Sequence, residues 1–476
     1  MERWRLAPSA IAGLVVALLV ARNAEGAPSG DQPDAGPPNP DGAPPAPLAP
    51  APGPPATNRS AATNGSATNA SATSGSAATS GSAATGGSGN APKTSIQPEG
   101  ARPASAAPKW FFGDLKLTPR GTFIVNTAWN SGTMNPGSFV FYALPVAVSK
   151  SQYFISPQNT VLGFGLDGLS VGRGKLSGGL DITLRSPTPL ATANTISPQF
   201  YDVHIQLEYA RLKIIVGQYP DILLPFVPDT TNSFPSGYLP GAIGYARPQI
   251  RGDGRLPFGE RWQLLVKASL DQPIQTFDLS DGEAVGRQGG RPDVQGRLAL
   301  AYGTSREAKT AWERPFEIGL GGHTGLRRVT DPTTNVTNQY RTWSVAADLR
   351  LRFPWGTLVK ARLWRGSDMG DYVGGIFQTV DLGTGLAVHA WGVWGEIQQS
   401  LSERWRAAVL YGRDNPRASD LSMGARSLNQ AYVVNLFWDA SAKIGFAVEG
   451  SHWATSYFAL PTNAVWRGDA MFLMRF

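Results

Sequence analysis

From residue 108 onward, apolar and polar residues alternate in short runs separated by turn formers. Successive side chains of a strand point to opposite faces, so this period-two pattern reads as half-buried β-strands and leaves almost no amphipathic helical face. Over Thr342–Phe353, one face carries Trp343, Val345, Ala347, Leu349, Leu351 and Phe353, and the other carries Thr342, Ser344, Asp348, Arg350 and Arg352. The last stretch, TNAVWRGDAMFLMRF, alternates to its final residue. Trp466, Ala470, Phe472, Met474 and Phe476 share one parity; Val465, Arg467, Asp469, Met471, Leu473 and Arg475 share the other. The pattern predicts sixteen strands, over 117–130, 159–168, 174–185, 199–210, 212–220, 242–252, 261–271, 292–303, 315–327, 340–353, 356–367, 385–399, 404–413, 428–439, 442–455 and 462–476.

The links between these segments alternate in length. Odd-to-even links are long (131–158, 186–198, 221–241, 272–291, 328–339, 368–384 and 414–427), whereas even-to-odd links such as Arg211, Pro354–Trp355 and Ser400–Glu403 are tight. Two exceptions are the link near 304–314 and the short last one near 456–461. Long loops at one end and tight turns at the other are the anatomy of an up-and-down transmembrane barrel. A sandwich with Greek-key crossovers has no reason to alternate in this way. Trp and Tyr recur near strand ends, at Trp110, Trp129, Tyr201, Tyr209, Trp262, Tyr302, Trp343, Trp355, Trp391, Trp405, Tyr411 and Trp466. Rings of that kind suit a membrane–water interface. The fold class expected is therefore all-β: a transmembrane, antiparallel up-and-down barrel over residues 108–476.

Composition narrows the picture further. The 476 residues contain no Cys and four His, which excludes thiolate catalysis, disulfides and Cys-based metal sites. The net charge of +7 is scattered along the chain rather than clustered, so a nucleic-acid surface has little support. A mean hydropathy of −0.17 is too low for a helical membrane protein and fits strands that are half polar.

Residues 1–27 read as a signal peptide, with Arg3 and Arg5 before the apolar run Ile11–Val20 and small residues that allow cleavage after Ala24 or Ala27. Residues 28–107 read as a disordered linker, rich in Pro, Gly and Ala and then in Ser, Ala, Thr, Gly and Asn. Such a composition buries too little apolar surface to offset chain entropy. It could serve as a tether or as a neutral spacer.

A signal peptide, sixteen alternating strands and a terminal Phe476 resemble the general bacterial outer-membrane porins. Within that superfamily, GQYPDILLPFVPDTTNSFP…GAIGYARPQIR (Gly217 to Arg251) and TVLGFGL (Thr160 to Leu166) are similar to the DcaP-like porins. Members of that family often carry a coiled-coil segment before the barrel, where this chain has its Ser/Ala/Thr tract. The resemblance implies residence in the outer-membrane bilayer, a homotrimer, and a C-terminal strand ending in Phe476 that the barrel-assembly machinery recognises.

Sixteen strands enclose an aqueous channel. The third long loop, 221–241, stands where porins fold a loop inward, and it brings Asp221, Asp229 and four prolines. Inward parity offers Arg185, Arg247, Arg251, Lys267, Arg297, Arg350, Arg352, Lys360 and Arg362, with Arg404 and Arg406 further round. Against them stand Asp181, Asp202, Glu208, Glu317, Asp348 and Glu449, a modest excess of cations. Rings of Arg and Lys favour anions. The function expected is passive diffusion of small hydrophilic solutes with a weak anion preference. The alternative is a structural or binding barrel whose loops or tether engage a surface or cell-wall partner.

No catalytic set is expected. His204, His323, His389 and His452 occur in no HExxH motif and in no His-x-Ser pairing like that of the barrel phospholipases. The glycines at Gly172 and Gly174 lack the Lys-Ser/Thr and helix of a phosphate loop. No cofactor or metal is implied.

Overall fold

The computed structural model describes residues 110–476 except 137–138, 186–196, 233–236, 275–288, 304–312 and 331–334. The signal peptide and linker expected over 1–107 lie outside the described residues. The rest is a closed antiparallel barrel of sixteen strands. In chain order they are β1 (Leu115–Asn130), β2 (Gln152–Ser156 continued by Val161–Val171), β3 (Gly174–Arg185), β4 (Ser197–Glu208), β5 (Leu212–Pro220), β6 (Ala246–Phe258), β7 (Trp262–Asp271) and β8 (Asp293–Tyr302). Then follow β9 (Phe316–Thr330), β10 (Thr337–Arg352), β11 (Thr357–Ser367), β12 (His389–Ser400), β13 (Trp405–Pro416), β14 (Arg426–Asp439), β15 (Ile444–Tyr457) and β16 (Leu460–Arg475).

Each strand pairs with its sequence neighbours, and β1 closes on β16 from Thr122↔Arg475 to Asn130↔Arg467. The terminal residue completes the seam. Gly121 N–H donates to the Phe476 carbonyl, and Phe476 N–H donates back to Gly121, both at 3.2 Å. Gly121 is needed there, because an added Cβ would stand 2.6 Å from the Phe476 ring. Below the seam, Trp110–Phe112 folds back on Leu115–Leu117 and covers the edge that β16 leaves open.

All sixteen expected strands are present, with the second, the sixth and the twelfth displaced, the twelfth beginning at His389 rather than 385. The second strand reaches back to Gln152, past a kink in which Asn159 takes φ 70°. The sixth begins at Ala246 rather than 242, because Gly241 (φ 82°) and Gly244 (φ 108°) turn the chain within the preceding loop.

Alternation sorts side chains between lipid and lumen. On β8, Val294, Leu298 and Leu300 face outward, while Asp293, Gln295 and Arg297 are buried inside. At the turn end the outer face carries an aromatic belt, in which Trp405 stacks on Trp438 and Trp438 on Phe446 at 5.5 and 5.3 Å between ring centres. Trp129, Tyr153, Trp391 and Trp466 mark the loop end. Tyr201 does not join either belt. It is buried beside the register shift where β4 slips against β3.

Candidate pore and its inserted loops

Three of the long loops turn into the barrel. The first (131–151), the third (221–245) and the sixth (368–388) meet in one apolar core inside the lumen. Val140 and Tyr142, then Phe226, Tyr238 and Leu239, then Val373, Ile376 and Phe377 pack there against Trp394, Leu410 and Trp453 of the wall. A lumen surface would ordinarily be polar. Here Trp394, Leu410, Val433 and Trp453 sit at inward positions on β12–β15 and make a greasy wall on which the loops dock.

The third loop crosses the lumen and is fastened at each stage. At its base, Arg247 Nε lies 2.7 Å from Asp221 Oδ1, both fully buried. Midway, Lys360 Nζ donates to the Val227 carbonyl at 2.8 Å, and Trp364 Nε1 donates to the Gly241 carbonyl at 2.8 Å. Further on, Arg406 Nε donates to Asp229 Oδ2 at 3.1 Å. Thr230 Oγ1 and Thr231 N–H donate to Glu449, while Asn232 Nδ2 ties the loop to Val140 of the first loop at 2.8 Å. The third loop thus lies inside the barrel, a path the sequence left open.

The sixth loop is held by a buried polar knot. Arg327 on β9 grips Asp293 of β8 and Asp371 of the loop. Tyr372 donates its hydroxyl to Asp293 Oδ2 at 2.9 Å, and the Arg247 guanidinium lies 3.8 Å over its ring. His323 packs on the same ring at 3.9 Å between ring centres. Asp368 lies beside the knot with neither carboxyl oxygen hydrogen-bonded. Burial without a partner pushes that carboxyl up to about 8, and the carboxylates of Asp371 and Asp293 add to the shift against the pull of Arg327. The sequence named the loop only as a long link. Arg327 was available by parity, since His323, Gly325 and Arg327 share the inward face, but the acids that meet it come from elsewhere in the chain.

The expected pore cations mostly have carboxylate partners. Arg251 pairs with Asp253 at 2.6 Å, Arg297 with Glu317 at 2.8 Å and with Asp348, and Lys360 with Glu396 at 3.0 Å. Arg350 reaches Glu317 at 3.4 Å. Lys267 and Arg362 face inward and form no ion pair within the described residues. Arg352 stands exposed at the turn end of β10, and Arg404 lies in the exposed turn before β13 rather than in the lumen. The Arg185 side chain lies outside the described residues. Asp253, Asp271, Asp293 and Glu396 also face inward, so the cation excess inferred from sequence shrinks.

The histidines divide between the two faces. His204 contacts Asp202 and Tyr219 in the lumen. His323 bonds Ser344 Oγ through Nδ1 at 2.7 Å and Thr342 Oγ1 through Nε2 at 2.8 Å. A serine–histidine contact oriented by a threonine lacks the carboxylate of the hydrolase triad. His452 packs outward against Trp466 with the rings tilted, and His389 meets Asp420 at the rim. Among the described residues, no group of three potential ligands could hold a metal.

A sixteen-stranded barrel with an apolar exterior, aromatic belts and inward loops defines an outer-membrane porin fold. No family model matches the chain, and no curated protein matches it in sequence. Solved structures do. The outer-membrane channel DcaP of Acinetobacter baumannii aligns over 76% of this chain and 97% of its own, at 15% identity and a TM-score of 0.59. The Salmonella typhi OmpF complex with daunomycin aligns over 77% of this chain and 100% of its own, at 12% identity and a TM-score of 0.52. The chain therefore has the fold of these outer-membrane channels.

Proposed function

We propose that this barrel passes small hydrophilic solutes by passive diffusion, with a weak preference for anions. The observation that carries the preference is a pair of inward cations, Lys267 and Arg362, without ion partners among the described residues. Arg251, Arg297 and Arg350 stand near them with carboxylates already engaged, so the local balance stays positive. A low-dielectric wall strengthens such a field. Single-channel conductance in a planar bilayer, with the reversal potential under a salt gradient, tests it. A potential on the anion side supports the reading, and a cation-side potential removes the charge argument.

The apolar core inside the lumen favours a second reading, a binding or structural barrel in which the loops seal the channel. A folded barrel that never conducts would select it over the first.

We infer a homotrimer. On the outer face Gly450 pairs with Gly468, and neither would meet an atom within 4 Å if given a Cβ. Flat, small surfaces of this kind let barrels approach closely. Conductance steps in multiples of three, with the mass of the detergent-extracted complex, test it.

A further inference from the structure

Among the described residues, the outward strand positions carry only four ionised side chains, and all are arginines. They are Arg328 on β9, Arg341 on β10, Arg365 on β11 and Arg413 on β13. Their outward direction follows from register. Leu326 faces Arg341, Val345 and Trp391 flank Arg365, and Val393 faces Arg413. Each lies within four residues of the loop end of its strand. The outward parity of β1–β8 and β14–β16 is uncharged. Arg328 and Arg365 are exposed and form no ion pair with the described residues, Arg341 Nε reaches Thr324 Oγ1 at 3.3 Å, and Arg413 lies 5.3 Å over the Trp391 ring.

Guanidinium groups on a lipid-facing wall cost free energy, steeply toward the bilayer centre and little at its edge. Four of them on one arc in the loop-end part of the wall, with no acid among them, make sense where the leaflet presents fixed negative charge. Arginine matches phosphate through two parallel N–H bonds, which a lysine cannot do. Below the arginines, toward the middle of the bilayer, the same arc forms a groove of about 550 Å³ lined by Leu298, Leu300, Leu320, Ala347, Leu363 and Val393. Ala347 sits between larger leucines and opens the space. Charge above and an apolar channel below are the two halves of an amphiphile.

We propose that the β9–β13 arc binds a phosphorylated glycolipid of the loop-side leaflet, its phosphates on Arg328, Arg341, Arg365 and Arg413 and an acyl chain in the groove. The site is on the outer wall and does not depend on whether the lumen conducts.

The test is native mass spectrometry of the full barrel in detergent with added lipid A, in its bis-phosphorylated and dephosphorylated forms. The expected result is retention of the bis-phosphorylated form at least tenfold above the dephosphorylated one, and a comparable loss in the variant R328Q/R341Q/R365Q/R413Q. A control removing exposed turn charges, R173Q/R211Q/R261Q, should keep the lipid. Equal retention of both lipid forms by the native barrel overturns the proposal without any variant. So does full retention by the fourfold variant, or a changed oligomer with unchanged lipid. Displacement of the lipid by millimolar inorganic phosphate alone would mark a free-anion site and also overturn it.

Discussion

Arg406 on β13 donates from Nε to Oδ2 of Asp229 in the third loop at 3.1 Å, though the two are 177 residues apart in sequence. Asn435 Nδ2 donates to the Asp229 carbonyl at 2.6 Å and Asp229 N–H donates to Glu396 Oε2 at 2.9 Å, so the same loop residue is held from three strands. This contact fixes the loop against the wall opposite its origin.

Removing one member of a buried ion pair costs roughly 3–5 kcal/mol when the other charge is left without compensation. Here the cost is smaller, because Arg406 keeps Asp439 at 3.3 Å. Asp229→Ala is therefore expected to free the loop while the sixteen-stranded wall survives. Open-channel noise should rise and conductance should change, with the heat-modifiable mobility of the folded barrel retained. Unchanged current traces would show that the loop needs no such tether.

Gly241 tests the same loop sterically. Its φ is 82°, and an added Cβ would collide with the carbonyl oxygens of Val393 and Arg413. Gly241→Ala should shift the loop and break the bond from Trp364 Nε1. Protease sensitivity of the third loop is the measurement, and protection equal to the native barrel would count against the close approach.

Lys267→Gln and Arg362→Gln each remove an inward cation that has no ion partner among the described residues. Both should move the reversal potential toward zero, with a larger shift in the double variant. Lys360→Gln, which breaks a pair with Glu396 at 3.0 Å, should move it further toward the cation side because a carboxylate is released. Identical potentials in all three would remove the electrostatic account of selectivity.

The sixth loop should respond to pH through Asp368. An isolated aspartate titrates near 3.9, whereas this carboxyl is pushed up to about 8 by burial. Between those values the docked loop holds a proton that the released loop loses. Docking is therefore strongest below about pH 4 and weakens as pH rises toward 8, by about 1.4 kcal/mol per unit for one proton. Asp368→Asn should flatten that dependence. Hydrogen exchange of residues 368–377 across pH 5–8 reads it directly, and a slope unchanged by the substitution would assign the effect to another group.

Phe476→Ala should weaken the seam where β16 meets Gly121, while leaving lumen charges untouched. We expect a smaller folded fraction in cells than for spontaneous refolding in detergent, as the resemblance to porins read by the assembly machinery implies. Equal losses in both settings would point to the seam alone.

The barrel itself was legible in the chain. Period-two alternation, turn residues and loop-length asymmetry are local signals, and each strand of a meander pairs with its sequence neighbours, so local information suffices. The inward face could likewise be named by parity, and Arg247, Arg251, Arg297, Lys360 and Arg362 are buried on that parity. Which of those charges remain unpaired was not legible. Arg327 meets Asp371 and Arg406 meets Asp229 only because strand tilt, barrel stagger and the path of two inserted loops bring them together. Alternation puts Trp394, Leu410 and Trp453 on the inward parity, but it does not reveal that they seat Tyr238, Ile376 and Phe377. An apolar residue at a lumen position looks like a fault in the pattern until a loop arrives to cover it. The sequence determined the wall through contacts close along the chain; the tertiary structure decided the contents of the lumen through contacts that span it.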